Sequence, residues 1–146
     1  IYIASLPFCK GLKDTERGPG DDFIILAAHQ LVQASSGVKS SRNMINTAIL
    51  AAELCLKHSA HNFQIKLLLA RLYAHPSVGA PLRSLELFRS MDIKQIQLDA
   101  LLHIVLSDLM RYGFFDEAVS LSRRLLDFHA NYIREGPELA ILAYQN

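Results

Sequence analysis

The sequence has no tryptophan and only two cysteines, Cys9 and Cys55, far apart along the chain. With so few thiols and no signal-peptide pattern, a disulfide-stapled domain is not expected. Reduced, buried cysteines are, as in a cytoplasmic protein. No uninterrupted apolar run reaches the roughly 20 residues a membrane span requires, so no membrane anchor is expected. An excess of one charge is missing too. A net charge of +1 with 20% charged residues carries neither the basic footprint of a nucleic-acid binder nor the acidity of a solvating tail. Strand-like alternation and hairpin dipeptides are also absent, which leaves an all-α fold as the expectation.

What the sequence does have is apolar surface. Hydrophobic residues make up 51% of its 146 residues, above the usual range once glycine is set aside, so much of that surface needs a partner. A chain of this length is one ordinary domain and buries about two thirds of its unfolded surface. Residues 1–8 are apolar but interrupted by Pro7; they fit the end of a preceding helix or a short extended piece. Opening at Ile1, inside that stretch, is expected of a segment of a longer protein. Residues 10–20, with Gly18-Pro19-Gly20, read as a loop. Residues 1–20 are thus expected to be the end of a preceding element plus a Gly/Pro linker, and 21–146 a helical repeat segment.

Asp21 or Asp22 can cap a first helix running to about Ala34, with Ile24, Ile25, Ala28, Leu31 and Val32 on its apolar side. Ser35-Ser36-Gly37 ends it. Ser40 or Ser41 caps a second, to about His58, whose stripe of Ile45, Ala48, Ile49, Ala52, Cys55 and Leu56 is widened by Leu50, Ala51 and Leu54. A helix apolar nearly all round is expected to pack on several sides. Asn62 opens a third, and the segment from His75 to Pro81 breaks it. The fourth, from about Leu82, buries Leu85, Phe88 and Met91. Further helices are expected over about 95–112 and 115–131 and, beyond Gly136-Pro137, a seventh over 138–144.

The stretch 62–130 organises the rest. Leu102, Val105, Leu106 and Leu109 recur three and four apart on one helical face, followed by Gly113, Phe115 and Ala118. Gly113 sits where the chain must reverse; Phe115 can pack back over the turn, and small Ala118 lets the second helix approach the first. This order of residue types resembles a tetratricopeptide (TPR) repeat, with Leu102 where Trp is commonest and Leu109 where Tyr is. Helix pairs starting near Asp22, Asn62, Gln97 and Pro137 recur about every 35–40 residues, as hairpin repeats do. The expected fold is therefore an all-α, TPR-like superhelix of stacked antiparallel hairpins, about seven helices in all. Leu68, Leu69, Tyr73, Leu85, Phe88, Leu102, Val105, Leu109, Phe115, Ala118 and Leu125 are its candidate core.

Chemistry is harder to find. Cys55, His58 and His61 are spaced three apart, but each such step drifts by about 60° around a helix, and a structural zinc site needs four ligands. No third group orients a Cys-His nucleophilic pair. Arg17-Gly18-Pro19-Gly20 precedes a helix as a phosphate loop would, yet Asp21 and Asp22 would repel phosphate and no Walker lysine follows. Arg123-Arg124 and Lys10, Lys13, Arg17 lack the interleaved aromatics of an RNA path and read as solvated faces. His29, His103 and His129 lie on or beside apolar stripes, where hydrogen-bonded packing histidines are expected. Asp92, Asp99, Asp108, Asp116 and Glu117 cluster near helix starts and turns, as capping and dipole compensation require. No catalytic, cofactor-binding or metal residue is assigned, and no partner-binding residue is identified.

Two runs carry a resemblance. His61-Asn62-Phe63-Gln64-Ile65-Lys66-Leu67-Leu68-Leu69-Ala70-Arg71-Leu72-Tyr73 and Ser90-Met91-Asp92-Ile93-Lys94-Gln95-Ile96-Gln97-Leu98-Asp99 resemble the non-catalytic auxiliary subunit of the NatB amino-terminal acetyltransferase, the Mdm20 family. Met91 replaces the family's usual leucine, Gln95 a common histidine and Ala60 a frequent proline. The likeness runs over about 42–130, and residues 1–38 carry none of it. It implies a long TPR-like superhelix that wraps a small catalytic acetyltransferase subunit in a cytoplasmic, ribosome-associated complex. That complex acetylates nascent chains beginning Met-Asp, Met-Glu, Met-Asn or Met-Gln. The catalytic subunit's acetyl-CoA signature, (Gln/Arg)-x-x-Gly-x-(Gly/Ala), is missing: Arg17 to Asp22 has Gly20 but fails at Asp22. A non-enzymatic scaffold segment without a cofactor is thus implied. The alternatives are a generic TPR or solenoid interaction adaptor, since a repeat fold does not name its cargo, and a small all-α enzyme, for which no converging polar cluster is visible.

Overall fold

The structure, a computed structural model, describes residues 1–13, 16–36 and 41–144, and of residues 95, 96 and 134–144 only the backbone. Among the described residues every regular element is helical. These are α1 (Tyr2–Ser5), a 3-10 turn (Leu6–Cys9), α2 (Asp21–Ser35), α3 (Ser41–His58), α4 (Phe63–Ala74), α5 (Pro81–Arg89), α6 (Gln95–Leu101), α7 (His103–Arg111) and α8 (Phe115–Tyr144). They form two compact units, Ile1–Asp92 and Ile93–Asn146. The all-α, hairpin-built, TPR-like fold expected from periodicity is the fold observed.

In the first unit α2 packs on α3, α3 on α4, and α4 on α5. Alanines make the close approaches possible: Ala28, Ala48, Ala52 and Ala70 have no exposed surface and sit among Ile45, Ile65 and Leu69. The hairpins are antiparallel. Asp21, at the start of α2, meets Cys55 near the end of α3, and Lys66, early in α4, reaches the Ser90 carbonyl just beyond α5. Asn62 caps α4, its Oδ1 accepting from the Gln64 and Ile65 amides at 3.1 and 3.2 Å. Pro81 opens α5, where its missing N–H costs nothing. The apolar start of the chain is helical, and Tyr2 joins the core. Gly20 lies so close beneath it that a Cβ there would collide with Ser5 Oγ and stand 3.0 Å from Tyr2 Cδ2.

In the second unit Leu98, Leu102, Val105 and Leu109 are buried, with Ala118 and Leu121 from α8. Gly113 makes the turn at φ 82°. Its N–H reaches the Met110 carbonyl at 3.2 Å and the Phe114 N–H reaches the Leu109 carbonyl at 2.9 Å. This bond pair is a Schellman closure, which needs a left-handed residue after the helix.

Several expectations are corrected. The helix expected over 95–112 is interrupted at Leu102, whose carbonyl takes both the Val105 and Leu106 amides, a local tightening towards three residues per turn. The break expected at Gly136-Pro137 does not occur. The backbone of α8 continues to Tyr144, because one proline removes one donor and the Glu-Leu-Ala-Ile-Leu-Ala run after it favours helix. A repeat starting at Pro137 therefore falls. Asp21 does not cap α2 from outside; it is the first helical residue, and Gly20 precedes it. Phe115 is 61% exposed, since it opens α8 on the outer side of the turn, and Phe114 is the half-buried aromatic there. Leu68, Tyr73, Met91 and Leu125 are half-buried rather than core. Leu50 and Leu54 face solvent, so the wide stripe of α3 is not covered on every side within its unit. Gly37 and Ser40 lie outside the described residues.

Candidate partner-binding surface

The polar centre of the first unit is Asp21, 1% exposed. One carboxylate oxygen accepts from Asn62 Nδ2 at 2.7 Å and from the Gly18 amide at 3.0 Å; the other accepts from Cys55 Sγ at 3.2 Å. A buried charge persists when several donors replace its water, and here the donors come from three separate segments. The network explains the 17–20 loop: Asp21 itself occupies the place an anion would take. Arg17 is held outside it by Asp22 and by Gln64 Oε1, the latter at 2.7 Å. Burial first, then the hydrogen bond to Asp21, pushes the Cys55 thiol from 9.0 up to about 12. It is a structural donor, not a nucleophile.

The other singled-out residues do not converge. Cys55 is buried while His58 and His61 are exposed, and among the described residues no three His, Cys, Asp or Glu side chains group as a metal site. Lys10, Lys13, Arg17, Arg123 and Arg124 are all exposed. His29, His103 and His129 are exposed as well, not packing histidines; His129 lies 3.2 Å from Asp99. Asp108 pairs with Arg111 at 2.9 Å, and Asp116 and Glu117 stand in the first turn of α8. Asp92 takes the left-handed turn after α5, at φ 48°. A second polar group, Tyr73 on Glu53 at 2.8 Å with Arg83 beside both, ties α3, α4 and α5 together. Burial, then Glu53, raises the Tyr73 pKa.

One surface that remains available is a trough of about 640 Å³ between α2 and α4. Its floor is apolar, from Ile25, Val32, Leu67, Leu68 and Leu72, and its rim carries His29, Gln64, Arg71 and His75. Gln64, Leu68 and Arg71 follow one another at helical intervals along α4, and His75, the residue just past its end, continues the row to about 16 Å at 1.5 Å per residue. Sequence reasoning took this helix only for its core and missed the stripe; the i, i+4, i+7, i+11 spacing was its one visible sign.

A surface of this kind, with no reacting cluster beside it, suits binding rather than catalysis. The family profile described as "N-acetyltransferase B complex (NatB) non catalytic subunit" matches residues 1–146. The chain belongs to this family. The NatB profile covers the whole chain, including residues 1–38, where the two motif runs gave no likeness. Among curated NatB subunits, the chain is 27% identical over its full length to the N-terminal acetyltransferase B complex auxiliary subunit NAA25 of Arabidopsis thaliana. It is 30% identical, over 99% of its length, to the N-terminal acetyltransferase B complex subunit arm1 of Schizosaccharomyces pombe. To the human N-alpha-acetyltransferase 25, NatB auxiliary subunit, it is 29% identical over 99%. The chain spans only 13%, 18% and 14% of these three relatives, respectively. No solved structure matches it. The NatB family is described as non-catalytic, which agrees with the missing acetyl-CoA signature. Among the described residues no helix is long and apolar enough to cross a membrane.

Proposed function

We propose that this chain is a scaffold segment of the auxiliary subunit of a NatB-type N-terminal acetyltransferase complex. It supports the catalytic acetyltransferase subunit, and through that complex the acetylation of nascent chains at the ribosome, in the cytoplasm. The family match over residues 1–146 carries the reading. Two further observations support it: helical hairpins of the TPR kind, and exposed apolar residues on α7 and α8 of the sort that a neighbouring repeat covers. In this reading residues 21–146 are part of a longer solenoid, and residues 1–20 are the end of a preceding element and its linker. None of its residues takes part in chemistry.

The test assays peptides beginning Met-Asp or Met-Glu with acetyl-CoA. It uses the segment alone, then the full-length protein with and without a coexpressed acetyltransferase subunit. Turnover is expected only when both subunits are present. Turnover by the segment alone overturns the non-catalytic role. If the full-length protein neither retains nor activates an acetyltransferase, a generic solenoid adaptor replaces the scaffold reading.

A further inference from the structure

The α2–α4 trough has a one-sided chemistry. Arg71 is exposed and has no hydrogen-bond or ion-pair partner among the described residues. Gln64 accepts from Arg17 on one lone pair of its carbonyl oxygen, and its NH2 donors are free. His75 accepts the Ser77 amide on Nδ1 at 3.2 Å, which leaves Nε2–H as the donor. Among the described residues the lining contains no carboxylate, and the nearby Asp22 is paired with Arg17. Among the described residues of the rim, Gln64, Arg71 and His75 thus each offer a proton or a positive charge. The floor beneath is formed by the apolar Ile25, Val32, Leu67, Leu68 and Leu72. On α2 the lining residues Ile25, His29 and Val32 span two turns, and the α4 stripe spans about three.

From this we propose that the trough is a docking site for an acidic amphipathic helix of a protein partner. Apolar side chains at i, i+3 or i+4, and i+7 lie on the leucine floor, and a flanking carboxylate pairs with Arg71. The length favours a helix, because i to i+7 covers about 10.5 Å, the span of the α2 lining. The guanidinium favours a carboxylate, because a fork of donors in a partly apolar setting is matched by two acceptor oxygens. The inference rests on the scaffold reading only in taking a protein segment as the occupant.

The experiment uses the full-length protein and two fluorescent helical peptides of about four turns. Both carry leucines at the spacing above; one is flanked by glutamates, the other by lysines. Fluorescence anisotropy should show saturable binding of the acidic peptide, at least about tenfold tighter than its basic twin. Arg71→Glu should weaken the acidic peptide by about tenfold or more and improve the basic one, as loss of a charge-assisted hydrogen bond requires. Arg71→Lys should keep part of the preference. Arg71 is exposed, so unchanged thermal unfolding is expected in both variants. Equal binding of the two peptides, no saturable binding of the acidic one, or indifference to Arg71→Glu overturns the proposal. Displacement of the peptide by an equal concentration of citrate does so too, by making the trough a small-anion site. Copurification with a coexpressed acetyltransferase is read separately. A protein that captures the acidic peptide but no acetyltransferase keeps the trough and loses the scaffold reading.

Discussion

The two units solve the same packing problem with different means. The first pairs two hairpins, so that α3 and α4 each have neighbours on two sides, and it fastens them with a buried carboxylate that bonds to three segments. The second is a single hairpin whose described core is wholly apolar, closed by one glycine turn. Its other face keeps Met110, Phe115, Val119 and Leu126 in solvent. A hairpin has two faces and can bury only one by itself, so repeat proteins gain stability through neighbours. The first unit contains that neighbour; within its own bounds the second does not.

The first unit should be weakened most by loss of Asp21. Asp21→Ala leaves the buried Asn62 and Cys55 donors, and the partly buried Gly18 amide, without their acceptor. It should cost about 3 kcal/mol or more in urea unfolding of the first unit; a loss under about 1 kcal/mol would deny the carboxylate its role. Alkaline titration comes next. The Cys55 thiol stays protonated in the folded chain to about 12 against 9.0 when unfolded. Its contribution is therefore complete below about pH 9 and is lost as the pH rises towards 12, on the order of a few kcal/mol at full extent. Cys55→Ser, which keeps a donor but does not titrate there, should flatten that limb of the stability curve. An unchanged limb would exclude the thiol as its source.

In the second unit Leu102→Ala should cost about 2–3 kcal/mol, the low end for leucine, because a thin core relaxes around the gap. A cost below about 0.5 kcal/mol would put Leu102 on the wrong face. Gly113→Val forces a β-branched side chain to a positive φ and should cost at least about 1 kcal/mol, although a Cβ there has open space around it. The smallest effect belongs to Phe115→Ser: within about 0.5 kcal/mol of the parent in stability, but with less self-association in sedimentation. A large destabilisation would mean that Phe115 packs after all.

Much of this was legible in sequence because it depends on local rules. The α4 cap at Asn62, the break before Pro81, the turn at Gly113 and the stripe of Val105 and Leu109 each follow from spacing or backbone freedom over a few residues. The Asp21 network was not legible, since it joins residues 34 and 41 positions apart, and nothing local tells a capping aspartate from a buried one. Phe115 misled for a related reason: Phe114 and Phe115 are adjacent, and a one-residue shift decides which faces inward. The continuity of α8 was hidden by punctuation that usually ends a helix. The trough was hidden because its arginine reads like any exposed charge until α2 is laid beside it.

The fully enclosed Cys55 has one more consequence. Alkylating reagents attack the thiolate, and this thiol is both protonated and out of reach while the first unit is closed. Cys9, half-buried in the same unit, offers an internal standard. The labelling rate of Cys55 with iodoacetamide therefore measures how often the hairpins come apart, without any probe having to be introduced. The molecule carries its own stopwatch for breathing, and a bound partner that clamps α2 against α4 would be read directly as a slower tick.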